Sequence, residues 1–586
     1  MQWKRAIAVV ATATLALGAA ACGSPSNSGP KSQESIKNEA QEKATDPTAK
    51  GPAADLPGAQ KGGTVTVLSS VVPETFDPTN IYYTDGNQIG KLYYRALTQY
   101  RLDEKTGKPV LVPDLAEDLG TVSADGLTWT FKLKQGIKYN DGSPVKAEDF
   151  AYAIKRSFAH DLFDSGPTYQ IQYFKDGETY KGPYGPQGDN YSGVATPDDH
   201  TLVIKLAKKF PDLPFYAAFP MFTPIPKAKD TKQNYEKNPM ATGPYMVAAY
   251  SPGVQLKLTK NPNWDPNTDP VRHQYLDGFD FKFGQDLIKA QRQVLKSTGK
   301  DASALNYENL DSTLLPELKD ESTQIVKGAA PCTVYWQFDA RKTPIELRKL
   351  LAKAFPFDSY RKVMGLTTIA DPPASTILPP AIPGWEKYEL PNLNGTGKGA
   401  EDPKVAAEVK AELQKLGKLG YQASWYYSND DPIRTRMSQV IQGAFEKAGF
   451  AVKAIGVPKA KARELANDIH APTNMKRGGW CSDWPSQSSW FPTMFRSDAI
   501  ELQNSFGYLS DKALDAEIDR VSGLSPDQQL KEAGKLDRKI LEEYLPVVPI
   551  SYSQNYSPVG SNIGHAVNDM TQGLVEFTSL YLKNPS

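Results

Sequence analysis

The sequence predicts an α/β protein of two or three domains, and three observations carry that prediction. The chain is 586 residues long, more than one hydrophobic core usually serves. Residues 127–134, LTWTFKLK, alternate apolar and polar as a half-buried strand does. Between 403 and 457, stretches of helical spacing alternate with a short strand pattern, which marks an α/β lobe.

The elements justify themselves in chain order. GGTVTVLSS, from Gly62, reads as a strand entering the fold. In 127–134, Leu127, Trp129, Phe131 and Leu133 share one face, with Thr128, Thr130, Lys132 and Lys134 on the other. Gly136 and Asp141–Gly142 signal turns, and KAEDFAYAIKRSF, from Lys146, follows as an amphipathic helix. GPYMVAAYSPGVQLKLTKN reads as two strands around Ser251–Pro252–Gly253. Ile433, Met437, Val440, Ile441, Ala444 and Ala448 recur at helical spacing and stop at Gly449, whose freedom at positive φ suits a C-cap. FAVKAIGV is then a strand, 511–521 and 527–544 are helices, and the last forty residues return to strands and turns.

The N-terminus reads separately. Lys4 and Arg5 precede the apolar run AIAVVATATLALGAAA and then Cys22, the order of a secretory signal. Small residues at 19–21 before Cys22 resemble the lipobox of bacterial lipoproteins, with Ala19 where leucine is usual. Residues 1–21 are therefore expected as a signal peptide and Cys22 as the lipidated residue. Residues 22–61, rich in Ser, Pro, Gly, Ala, Lys and Glu and without an aromatic, are expected as a flexible tether. No later run is long and apolar enough for a membrane helix.

Composition excludes several function classes. Basic and acidic residues balance at 67 each, so no bulk field attracts nucleic acid. The five histidines form no close metal pair, and neither a G-x-S-x-G elbow nor a phosphate-binding loop occurs. No metal, no cofactor and no enzyme activity are expected. The only cysteines beyond Cys22 are Cys332 and Cys481. In an exported protein they form a disulfide or stand as two buried free thiols.

Residues 477–484, RGGWCSDW, mix residue types that usually separate. Tryptophan and cysteine prefer the interior, whereas Arg477 and Asp483 stay in water unless paired. The segment reads as a wall between core and cavity. Its own residues also permit a plain ion pair between Arg477 and Asp483. In the cavity reading, Gly478 and Gly479 leave room for a ligand backbone, Trp480 and Trp484 supply flat apolar walls, and the charges fix a ligand's ends.

Several stretches together resemble the extracytoplasmic solute-binding proteins of peptide-type ABC importers, family 5. They are LVPDLAEDLGTVSADGLTWTFKLKQGIKYNDGSPVKAEDF at 111–150, ATGPYMVAAY…LTKNPNW at 241–264, and DPKVAAEVKAELQKLG at 402–417. RGGWCSDWPSQSSWFPTMF is similar to the anchor segment of the family's oligopeptide-binding branch. Trp484–Pro485–Ser486–Gln487 departs from that branch's Y-N-E-P, Asp339 from its asparagine and Lys146 from its capping threonine.

The resemblance implies a two-lobed, periplasmic-binding-protein-like α/β fold of the large, class II peptide-binding type, with an extra subdomain on the first lobe. The first lobe would comprise 62–89, 226–331 and 549–586, the added subdomain 90–225, and the second lobe 332–548. The ligand would be an oligopeptide held between the lobes, its α-amino group on Asp483 and a carboxylate on Arg477, beside Gly479, Trp480, Cys481 and Trp484. Tyr82, Tyr83 and Thr84 would approach from the opposite lobe. Cys332 and Cys481 would be bonded. Expected partners are a permease and its ATPase subunits, with the protein monomeric on the outer face of a bacterial cytoplasmic membrane. On the same scaffold the alternatives are a metal chelate, haem or sugar as solute, or a peptide-sensing role.

Overall fold

A computed structural model describes residues 45–103, 107–501 and 505–585. The expected signal, Cys22 and the first half of the tether lie outside the described residues. Local patterns convert directly into elements. The 127–134 alternation becomes the strand Thr128–Lys132, with Trp129 and Phe131 buried. The Lys146 stretch becomes the helix Ala147–Arg156. The 245–260 hairpin forms as Tyr245–Ser251 and Gln255–Lys260, turning at Gly253 with φ 74°. Gly449 takes φ 90° after the helix Pro432–Lys447.

Three large cores organise the chain. The first surrounds a five-stranded sheet in which Thr64–Leu68 runs parallel to Gly278–Lys282 and to Ala304–Leu305, while Gln255–Lys260 and Tyr245–Ser251 extend it antiparallel. Val65, Val67, Phe279 and Phe281 fill it together with Phe577 and Leu582 from the C-terminus. The second core lies beneath the four-stranded antiparallel sheet of Thr128–Lys132, Thr201–Lys205 and their flanking strands, packed by Phe150 and Ile154 of the helix above. The third gathers Trp336, Trp425, Phe445, Trp490 and Phe495 with residues up to Ile550.

Two long antiparallel strands, Ile325–Phe338 and Val547–Pro558, link the first and third cores: Ile325–Phe338 contributes side chains to both, and Val547–Pro558 to the third, with Val559 just beyond it in the first. Their register shifts between Ala329 and Thr333. Met475–Cys481 joins the same sheet antiparallel to Ile325–Phe338 and forms its outer edge. Cys332 lies opposite Cys481 in that ladder, and the two are disulfide-bonded.

One expectation is overturned. Residues 45–61 are not a free tether but a strap laid on the body. Asp46 donates its N–H to Leu111 O at 2.9 Å, Ala53 to Asp269 O at 2.9 Å, and Leu56 to the Tyr275 hydroxyl at 3.1 Å. Ala49 packs with Val112 and Val271, and Leu56 is buried. A few backbone hydrogen bonds and two small apolar anchors suffice to order a segment whose composition alone reads as disordered.

Candidate functional site

The strand Met475–Cys481 owes its conformation to alternation: Lys476, Gly478 and Trp480 are half-buried, whereas Arg477, Gly479 and Cys481 are exposed on the opposite face. Its inner side pairs with Ile325–Phe338, and among the described residues no strand pairs with its outer side. An edge of this kind offers backbone groups to an extended chain. Ser482 and Asp483 follow at the end of the ladder, with Ser482 N–H donating to Pro331 O at 2.7 Å.

Asp483 lies where three parts of the chain meet. Its Oδ2 accepts from the Tyr82 hydroxyl at 2.9 Å and from the Tyr169 hydroxyl. Tyr82 belongs to the loop preceding the helix Thr84–Gly90, and Tyr169 opens the short helix Tyr169–Tyr173. The Tyr169 hydroxyl also lies 3.2 Å from Thr493 Oγ1. Burial pushes the Asp483 carboxyl up to about 7, against two tyrosine hydroxyls that hold it down. Burial, and then the Asp483 charge, drive both tyrosines well above the ordinary phenol range, so they stay protonated donors.

Buried ion pairs set the position of Tyr82. Arg156, at the end of the subdomain helix, donates from Nη1 and Nη2 to the two carboxylate oxygens of Asp77 at 2.5 and 2.7 Å. It donates to Thr79 Oγ1 as well. A bidentate guanidinium–carboxylate pair fixes direction as well as distance, and it ties the loop carrying Tyr82 to the subdomain.

Arg477 and Asp483 do not pair with each other. Six residues of near-extended chain place their backbones about 20 Å apart. Arg477 Nε donates to the Tyr360 hydroxyl at 3.1 Å, and among the described residues no carboxylate forms an ion pair with it. Gly479 is exposed between Arg477 and Cys481 on the same face. Gly478 serves another purpose than room for a ligand: a Cβ there would stand 1.9 Å from Gln337 Nε2, so the missing side chain admits the Gln337 amide. Trp480 donates its indole N–H to Ser489 O at 3.0 Å and meets Phe506 edge-on.

Trp484 is a correction. It was expected to wall the ligand site, yet it is 2% exposed and belongs to the subdomain core. Its ring contacts Tyr169, Phe210 and Tyr216, and its indole N–H donates to Asp212 Oδ2 at 3.1 Å. A large ring next to Pro485 is held best where apolar partners surround it, and the subdomain supplies them. Of the opposing loop, Tyr82 reaches Asp483. Tyr83 is 50% exposed with its ring against that of Tyr82, and Thr84 begins the helix. Tyr169, Tyr360 and Thr493 were missed, because no local pattern links residues that far apart in sequence.

Comparison with known proteins agrees with this architecture. The model for "Bacterial extracellular solute-binding proteins, family 5 Middle" matches residues 110–501. The periplasmic oligopeptide-binding protein OppA of Salmonella typhimurium is 22% identical, over 91% of this chain and 94% of that relative. The oligopeptide-binding protein OppA of Bacillus subtilis is 28% identical, over 79% of this chain and 83% of its own. Among solved structures, the clavulanic acid biosynthesis oligopeptide binding protein 2 superposes with a TM-score of 0.77 at 23% identity, covering 92% of this chain and 99% of that one. Its likeness supports the two-lobed α/β fold. The chain is a member of the bacterial extracellular solute-binding proteins of family 5.

Proposed function

We propose that this protein captures oligopeptides between its lobes and delivers them to the permease of an ABC importer, tethered to the outer face of the membrane by a lipid on Cys22. The observation that carries the reading is Asp483, a buried carboxylate just past the end of an edge strand, bonded to two tyrosine hydroxyls from distant parts of the chain. A carboxyl held near 7 by burial lacks a counterion, and a ligand ammonium supplies one through a charge-assisted hydrogen bond. The edge strand offers backbone hydrogen bonds to the residues that follow, independent of their side chains. A neutral sugar would leave the carboxylate without that partner.

In this reading 62–89, 226–331 and 549–586 form the first lobe, 90–225 the added subdomain and 332–548 the second lobe. Closure brings Tyr82 and Tyr169 onto Asp483 and presents a shape that the permease recognises. The protein acts as a monomer, and transport energy comes from the partner ATPase. Binding needs neither a cofactor nor bond chemistry.

Native mass spectrometry of freshly purified protein, with identification of the released ligand, tests the reading. Peptides that co-purify with the wild type and disappear in Asp483→Ala are expected. A sugar, haem or metal chelate in their place refutes the peptide assignment and leaves the family intact.

A further inference from the structure

Asp212 is fully buried at the start of the short helix Leu213–Tyr216, between Phe210 and Leu213 of the core beneath the four-stranded sheet. Its carbonyl oxygen accepts the N–H groups of Phe215 at 2.9 Å and Tyr216 at 3.1 Å. Its carboxylate is turned to the anchor segment instead. Oδ2 accepts the indole N–H of Trp484 at 3.1 Å and the hydroxyl of Ser488. Both bonds end on one oxygen and reach residues 272 and 276 positions away in the chain.

Serine hydroxyls fold the rest of that segment around Trp484. Trp484 O accepts from Ser482 Oγ and lies 3.0 Å from Ser489 Oγ, while Ser486 Oγ donates to Gln529 Oε1 at 3.1 Å. Ser482, Ser486, Ser488 and Ser489 are all buried. Trp484–Pro485–Ser486–Gln487 is also where the chain departs from the Y-N-E-P of the oligopeptide-binding branch, so the indole N–H that meets Asp212 is a feature of this chain. The Trp484 ring meets Tyr169 edge-on, with centroids 4.7 Å apart, and the Tyr169 hydroxyl donates to Asp483. Holding the indole therefore holds Asp483 twice: through one peptide bond, and through the tyrosine that faces it. Hydrogen bonds to a carboxylate inside a dry core are strong enough for that task, and a binding group works only when held to about 0.5 Å.

We propose that Asp212 is a positioning residue for ligand capture: by holding Trp484 and Ser488 it sets the Asp483 carboxylate for a ligand ammonium, and so fixes a preference for a free α-amino terminus. The inference rests on the peptide reading and deepens it. Asp212 touches no ligand and acts through residues 482–489. A merely structural role would weaken all ligands alike, whereas a positioning role weakens those that carry the ammonium.

Isothermal titration at pH 7.5 would compare alanine peptides of two to five residues with their N-acetylated forms. Wild type should prefer the free amine by about a hundredfold. Trp484→Phe keeps a ring in the core and deletes the N–H, and Ser488→Ala deletes the hydroxyl. Together they should cut the preference to about tenfold or below. Asp212→Asn places an amide oxygen where both bonds end and loses only the charge, so it should keep more of the preference than Asp212→Ala. Should Asp212→Ala or the double variant fail to fold, the two single variants decide, each expected to cut the preference by at least about threefold. A preference within twofold of wild type in these variants, with Asp483→Asn still abolishing it, overturns the positioning role and leaves the peptide reading standing. Well-folded wild type that binds no peptide, or binds free and acetylated forms alike, overturns the peptide reading itself.

Discussion

With Asp483 as the proposed ammonium anchor, its carboxyl makes binding depend on pH in a definite direction. Its pKa stands at about 7, against an ordinary 3.8, because burial penalises the anion more than Tyr82 and Tyr169 stabilise it. A ligand ammonium needs the ionised form, so a proton and a peptide compete for one carboxylate. Half of the sites are ionised at pH 7 and about one in a hundred at pH 5, so peptide affinity should fall about fiftyfold over that interval. Above pH 8 affinity should fall again as the ligand's own α-amino group, with a pKa of about 7.7–8.0, loses its proton. Folding stability takes the opposite sense. The native state keeps a proton that the unfolded chain releases above 3.8, so this contribution is complete below that value. It is lost as pH rises through about 7, a change of about 4 kcal/mol. Asp483→Asn mimics the protonated form, so it should raise the melting temperature at pH 8 while abolishing peptide binding. Titration calorimetry from pH 5 to 9, with thermal melts of both proteins, reads both effects. A flat affinity between pH 5 and 7, or an Asn variant less stable than wild type at pH 8, refutes the reasoning.

Three further outcomes follow from neighbouring contacts. Tyr169→Phe removes a donor that lowers the Asp483 pKa, so the acid limb of the affinity profile should move to higher pH. An unmoved limb would show that this hydroxyl does not govern the carboxylate. Trp484→Ala empties a site that is 2% exposed. At about 25 cal/mol per Å² over roughly 200 Å² it should cost about 3–5 kcal/mol in denaturant melts, with Trp484→Phe recovering most of it. Replacing both Cys332 and Cys481 by alanine opens a loop of 149 residues, worth up to about 5 kcal/mol in the chain-entropy account. Melts of that variant, and of wild type with reductant, should fall together, toward the low end of that figure because the two residues already face each other in the ladder.

What was legible in the sequence was what neighbours along the chain decide. The alternation around Trp129, the hairpin at Gly253 and the helix stopping at Gly449 are local periodicities, and each became the expected element. Pairings between distant segments left no such trace. Ala304–Leu305 beside Thr64–Leu68 is fixed by the sheet as a whole, and Tyr169 meets Asp483 across 314 residues. Composition misled twice for the same reason. Residues 45–61 looked too polar to order, and Trp484 looked like a cleft wall, because an averaged property does not say which partner is within reach. The partners are Leu111, Asp269 and Tyr275 for the strap and the subdomain core for the ring.

That misplacement of Trp484 gives the anchor its mechanical sense. On one side of Asp483, the strand Met475–Cys481 is fixed to Ile325–Phe338 by a seven-residue ladder and a disulfide. On the other, Trp484 is fixed in the core of the subdomain by Tyr169, Phe210, Tyr216 and Asp212. Ser482 and Asp483 are thus the span between the disulfide-bonded strand and the core that buries Trp484. At that point the Tyr82 and Tyr169 hydroxyls both donate to the carboxylate. Charge and hydrogen bonding therefore converge on one side chain, set between the ladder of Met475–Cys481 and the core that buries Trp484.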